Sequence, residues 1–328
     1  MLYPLTFQPI FMERVWGGRN LERLFGKPLP PGKVIGESWE ITDRPEGVSL
    51  IDNGPFAGKS LEWLMNHAGE NLLGSAKPTA DGRFPLLVKL LDAQDKLSLQ
   101  VHPPAHQAAA LGGEPKTEMW YVADATPTAD IFVGLKPGVT AADFERKIHD
   151  GSVAECFHRH EIRRGDAMFL PSGRVHALGA GSVIFEIQQN SDTTYRVFDW
   201  NRVGLDGKPR DLHIPQAMAS IDFADFEPGL VPPKISDVYG FQWGELAACE
   251  LFRVNKFETQ HPDGASLTLP RGVAVVAALT GRLTIRSESS GVEPVVLDPG
   301  KFCLVPADLM DVQLATTGAA SGLLANPL

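Results

Sequence analysis

From Lys96 to Trp120 the chain alternates in a way that an extended strand can use and a helix cannot. In LSLQVHPP the aliphatics Leu97, Leu99 and Val101 interleave with Gln100 and His102. Successive side chains on a strand point to opposite faces, so Gln100 and His102 share one face and the aliphatics the other. About sixteen residues beyond His102, KTEMWYV supplies Glu118 in a second strand-like run, with Lys116 two residues before it on the same face. A third stretch answers these two: Gly165, five residues, Pro171-Ser172-Gly173, two residues, His176. The pattern predicts a β-fold in which two imidazoles, a carboxylate and an amide oxygen meet.

With 328 residues the chain has room for one large domain or two medium ones. A hydrophobic content of 43% with 21% charged residues is that of a soluble globular protein. The net charge of −10 and the lack of a basic stripe argue against a nucleic-acid partner. Cys156, Cys249 and Cys303 are odd in number and far apart, which suits reduced thiols in a cytoplasmic protein. The start, MLYPLTFQPIFMERVWGG, lacks the features of a signal peptide. The longest apolar run, Val273 to Leu279, is far short of the roughly 20 residues that span a bilayer, so no membrane partner is expected.

Along residues 1–80, Asn20 is placed to cap a short helix, IGESWEI alternates as a strand, and Ser60 reads as the N-cap of a helix through Leu61 and Leu64. GPFAGKS resembles a phosphate loop but has three residues between its glycines where four are needed. FPLLVKLLDA reads as a buried strand in which Lys89 either snorkels to an edge or enters a pocket. Residues 136–164 read as helical, with capping boxes at Thr140/Asp143 and Ser152/Glu155. On a helix His158 and His160 would not share a face, so a solvated basic surface is expected there rather than a metal site. In VIFEIQQ and NSDTTYRVFDWNR, Glu186 and Arg196 are charged residues inside β-patterns, a costly placement unless paired or functional. From residue 216 a short helix leads into strands with turns at sandwich-like intervals. Gly300, five residues and Pro306 echo Gly165 to Pro171, with Asp311 standing where His176 would fall. The reading is therefore mainly β, with two jelly-roll β-sandwiches and a few short helices: a metal-binding domain over 1–230 and a second, metal-free domain over 231–328.

The Gly165–His176 spacing resembles the second signature of the cupin superfamily, and the chain resembles the compact bacterial form of type I mannose-6-phosphate isomerase. The likeness rests on WGG at 16–18, GESW at 36–39, FPLLVKLLD at 84–92, LSLQVHP at 97–103, KTEMWY at 116–121, PSGRVHALGAG at 171–181 and QNSDTTYRVFDW at 189–200. The resemblance implies zinc held by Gln100, His102, Glu118 and His176, with Arg196, Ser98, Lys89, Lys116 and Glu186 on active-site positions. Two departures stand out: Ala180 replaces the usual cupin asparagine four residues after the last histidine, and the large helical domain of the longer eukaryotic enzymes has no counterpart.

The residue types suit that chemistry. Two imidazoles, one carboxylate and a neutral amide form a set suited to zinc, though not exclusive of manganese, iron or nickel. Interconversion of mannose 6-phosphate and fructose 6-phosphate moves a proton between C1 and C2 through an enediolate, which a divalent ion stabilises and a base serves. Glu186 is the expected base, with Lys116 or a metal-bound water as rival; Arg196 would steady the developing oxyanion or orient the sugar. Lys89 with Ser98 would meet the phosphate of the sugar-phosphate partner. Two alternatives stand beside the isomerase: a non-catalytic sugar-phosphate-binding cupin and a metal-dependent cupin oxygenase, the latter disfavoured by Gln-x-His in place of His-x-His. Either a monomer or a homodimer is compatible with the sequence.

Overall fold

The alternating segments become strands of four main sheets, all paired antiparallel. A computed structural model describes residues 1–232, 234–288 and 291–328. In the first half, a six-stranded sheet runs in the order Ile10–Gly18, Ile35–Ile41, Leu86–Ala93, Ser182–Gln189, Glu118–Ala125, Ala167–Leu170. Facing it is a five-stranded sheet ordered Tyr195–Phe198, Leu99–Val101, His176–Leu178, Asp130–Leu135, Phe157–Glu161. In the second half a six-stranded sheet (Lys234–Val238, Phe241–Ala248, Phe252–Thr259, Ala320–Pro327, Ala274–Thr280, Phe302–Val305) faces a four-stranded one (Ser266–Thr268, Gln313–Thr316, Leu283–Arg286, Val295–Leu297).

The two six-stranded sheets pack back to back. Leu86, Val88, Leu90, Phe185 and Ile187 on the first meet Phe252, Val254, Val275, Ala277 and Leu323 on the second in one core. The helix Leu61–Leu73 joins that core through Leu61, Leu64, Leu72 and Leu73, and Ser60 Oγ caps it by accepting from the Trp63 amide at 3.0 Å. This arrangement explains the near-continuous apolar run of FPLLVKLLDA: even-numbered residues enter the shared core, while Leu91 faces the interior of the first sandwich. Lys89 has the parity of Leu91, so it points into that interior and not to an edge. Helices Ala141–Asp150 and Ile214–Ser220 cover the outer face of the five-stranded sheet around Leu99, Val101 and Val197.

Several local expectations need correction. Residues 136–164 are only partly helical: after Ala141–Asp150 and a short 3-10 turn, Phe157–Glu161 is a strand. It is an edge strand with only Phe157 fully buried, so it lacks the apolar alternation that marks a strand in sequence. His158 and His160 therefore share a face, their rings 4.3 Å apart, and His160 Nε2 is bonded to the Pro228 carbonyl at 2.7 Å. Thr140 does cap its helix by accepting from the Asp143 amide, but Ser152 makes no side-chain cap. Asn20 lies inside its helix, with its amide nitrogen on Asp92 Oδ1 at 3.1 Å.

Candidate active site

Each sheet of the first sandwich contributes one part of a shared pocket. On the five-stranded sheet, Gln100 lies directly across from His176, and Arg196 pairs with Gln100 on its other side. On the six-stranded sheet, Glu186 stands opposite Lys89 on one neighbour and Trp120 on the other, and Glu118 begins the Trp120 strand. His102 follows the Leu99–Val101 strand, held by Pro103 and Pro104 before the turn of helix Ala105–Ala108. Residues distant in sequence thus reach one interior because cross-strand pairing sets them side by side on the inward faces of the two sheets.

His102, Glu118 and His176 are buried, and one donor atom from each lies within 4.8 Å of the others. His176 Nε2 is 3.2 Å from Glu118 Oε1, and His102 Nε2 is 3.6 Å from Glu118 Oε2. The outer ring nitrogens are engaged by backbone carbonyls: His102 Nδ1 with Thr193 at 2.8 Å and His176 Nδ1 with Arg174 at 2.9 Å. A carbonyl can only accept, so each ring carries its proton on Nδ1 and turns an Nε2 lone pair inward. Burial lowers the pKa of both histidines, His176 to about 3, which keeps them neutral. Burial, the largest single influence, would raise Glu118, but Lys116, with Nζ 2.8 Å from Oε2, together with His102 and His176 outweighs it and holds the carboxyl well below its usual range.

These features fit a divalent cation. Among the described residues, His102 Nε2 and Glu118 Oε1 are buried with no hydrogen bond, and Glu118 Oε2 meets the Lys116 ammonium, an arrangement that costs free energy unless something else occupies the space between the imidazoles and the carboxylate. Gln100 joins them, its Nε2 3.3 Å from His176 Nε2 and its Oε1 accepting from Ser98 Oγ at 3.3 Å. Turning the amide by half a turn aims Oε1 at the imidazoles and leaves Nε2 to donate to Ser98 Oγ; Oε1 would then face the His176 Nε2 lone pair, so that orientation is satisfied only with a cation between them.

A cavity of about 500 Å³ opens beside this cluster and is lined by Lys89, Ser98, Gln100, Lys116, Glu186 and Arg196 among others. Every candidate side chain read from the sequence therefore reaches either the cavity or the donor cluster. Glu186 is buried; its Oε1 accepts from Trp120 Nε1 at 2.9 Å, its Oε2 has no hydrogen bond among the described residues, and burial raises its pKa. Arg196 likewise has a buried Nε with no partner. Lys89 is enclosed by carboxylates, with Asp192 at 3.3 Å, Glu186 at 3.6 Å and Glu37 at 3.7 Å, and stays protonated because those charges outweigh its burial. Glu37 and Arg14, which pair at 3.0 Å on the cavity wall, were not singled out in the sequence. Both lie on the first two strands, and the alternation of IGESWEI is the signal that could have exposed Glu37 as inward-facing.

Comparison with known proteins places this geometry. Residues 5–123 match the model for the phosphomannose isomerase type I catalytic domain. Mannose-6-phosphate isomerase ManA of Bacillus subtilis (strain 168) is 39% identical over 288 residues, covering 85% of this chain and 86% of that one. Mannose-6-phosphate isomerase of Streptococcus mutans serotype c is 34% identical over 307 residues, covering 93% of each. The crystal structure of the mannose 6-phosphate isomerase from Bacillus subtilis superposes with a TM-score of 0.88 at 29% identity, covering 99% of this chain and 100% of that one. With its β-sandwich fold and most of its length matched, the chain belongs to the type I mannose-6-phosphate isomerase family.

Proposed function

We propose that the chain interconverts mannose 6-phosphate and fructose 6-phosphate, with one zinc ion held by Gln100, His102, Glu118 and His176 in a domain spanning 1–230. The observation that carries this reading is the convergence of buried, unbonded donor atoms on His102 and Glu118 at the edge of a cavity whose wall holds Glu186 and Arg196. When bound, a divalent ion supplies Lewis acidity for negative charge developing on the sugar oxygens. Glu186 is the proton carrier between C1 and C2: burial raises its pKa, which makes it a better base than an exposed carboxylate. Trp120 Nε1 fixes one of its oxygens and leaves the other toward the cavity. Lys116 holds Glu118 charged and is the rival for the proton transfer. Arg196 offers an unbonded N–H to a sugar oxygen. Lys89 lies close to three carboxylates, so one role is to set the charge around Glu186, and with Ser98 it is the proposed contact to the phosphate.

Among the described residues no helix is long and apolar enough to cross a membrane. A cytoplasmic enzyme working as a monomer or homodimer is the accompanying proposal. The test is a coupled assay for fructose 6-phosphate formation, run as isolated, after chelation, and after zinc is restored. Activity lost with the metal and recovered with zinc supports the reading; a folded, zinc-loaded protein without turnover overturns it in favour of a sugar-phosphate-binding role.

A further inference from the structure

The second sandwich repeats the first except for the Tyr195–Phe198 edge strand, which has no counterpart, and the repeat locates a second cavity. Both six-stranded sheets follow the same connectivity, and Leu170 and Val305, each preceding the proline of a Gly-x5-Pro turn, occupy the same place. Pairing outward from them matches Glu118 with Ala274, Trp120 with Val276, Glu186 with Leu324, Lys89 with Asn255 and Glu37 with Trp243. The connections Leu178 to Ser182 and Thr316 to Ala320 are equally long, so His176 matches Leu314, and its partner Gln100 matches Leu267. Asp311, expected at the His176 position, is instead exposed in the preceding loop, which is three residues longer here.

The metal-ligand positions have become core aliphatics, yet the pocket persists. A cavity of about 500 Å³ is lined by Trp243, Asn255, Leu267 and Leu324, the counterparts of Glu37, Lys89, Gln100 and Glu186 in the first. Asn255 is 7% exposed, and among the described residues its amide makes no hydrogen bond although it can both donate and accept. Trp243 stacks on Phe257, which backs the indole without lining the cavity (centroids 5.6 Å, planes 21° apart). Arg253 and Glu245 on the wall neutralise one another at 3.3 Å while keeping free donor and acceptor sites. Tyr239, also in the lining, is 83% exposed and sits at φ +50°, a conformation that a bulky residue adopts at a cost and that Asn or Gly would take more readily.

We infer that this cavity is a metal-independent binding site for a neutral pyranose, whose apolar C–H face packs on Trp243 and whose hydroxyls bond Asn255 and the Arg253–Glu245 pair. A small pocket with an apolar floor, an aromatic wall and a few polar groups (Asn255, the paired Arg253 and Glu245, and Arg271, whose guanidinium can donate to hydroxyls) suits a ring that is apolar on its faces and hydroxylated at its rim. The site is separate from the proposed catalytic pocket and does not depend on the reaction assigned there. The test is equilibrium dialysis of radiolabelled methyl α-D-mannopyranoside against the zinc-loaded enzyme, repeated after chelation and with excess mannose 6-phosphate. The expected result is one glycoside per chain, retained in both conditions and weakened at least about tenfold, the weight of one ligand hydrogen bond, by Asn255→Leu or by Trp243→Ala. An unchanged circular dichroism spectrum and a cooperative thermal unfolding transition in either variant show that it is folded. Absence of binding, displacement by mannose 6-phosphate, or equal binding by wild type and a folded variant would overturn the inference.

Discussion

Apart from the additional Tyr195–Phe198 strand of the first, the two sandwiches share strand order and register but differ at the positions where chemistry is concentrated. In the first, the interior holds His102, Glu118 and His176 with Lys89, Lys116 and Glu186 around them; in the second, the matched positions include Leu269, Ala274, Leu314, Asn255 and Leu324. Leu267, Leu269, Ala274 and Leu314 merge into a continuous apolar core there. A buried charge is tolerated only when paired, so the first sandwich needs a closed set of partners where the second needs only packing. The same strand order is thus filled in two ways, by a polar cluster in one sandwich and by aliphatic packing in the other.

The comparison can be broken most directly by exchanging matched residues. His176→Leu, which installs the residue found at position 314, should lower kcat/KM on the order of 10³-fold, the rate equivalent of several kcal/mol of lost electrophilic assistance. Thermal unfolding should show little loss of stability, because the variant takes the aliphatic solution of the second sandwich. Leu314→Ala should do the reverse: kcat/KM holds while denaturant unfolding shows a loss of about 2–5 kcal/mol from the cavity it leaves. If both variants lost activity and stability alike, the two interiors would not be serving different ends.

A smaller effect sharpens the assignment inside the first pocket. Glu186→Gln keeps shape and the bond from Trp120 but cannot carry a proton, so kcat should fall roughly 10²-fold or more with KM little changed. Unchanged turnover would move the proton transfer to Lys116. The smallest effect concerns acid. Burial alone would raise Glu37, but Lys89 and Arg14 outweigh it and bring its pKa down to about 2 from an ordinary 4.5. A depressed carboxylate contributes stability that is fully present above about pH 4.5 and lost as pH falls toward about 2. Trp243, its counterpart, cannot titrate. Hydrogen exchange between those pH values should therefore show the Ile35–Ile41 strand losing protection before the Phe241–Ala248 strand. Equal loss in both would remove Glu37 as the cause.

Much of this was legible in the chain because the signals were local. Alternation in LSLQVHPP and the Gly165–His176 spacing exposed the inward face that carries Gln100, His102 and His176, and the echo at Gly300–Pro306 exposed the duplication. What stayed hidden depended on register between distant strands. Glu37 reaches Lys89 only because Ile35–Ile41 pairs with Leu86–Ala93, and no local pattern fixes that pairing. Three extra residues before Leu314 shifted the repeat and put Asp311 in the wrong place. The strand Phe157–Glu161 was read as helix because, at a sheet edge, two of its five residues stay exposed and its apolar alternation is lost.

The central claim, that one sandwich holds a metal ion and its duplicate does not, is tested most directly by counting zinc per chain by native mass spectrometry. The account predicts one ion in the wild-type protein and none in folded Glu118→Gln or His176→Leu. Two ions per chain, or one ion that survives either substitution, would contradict it.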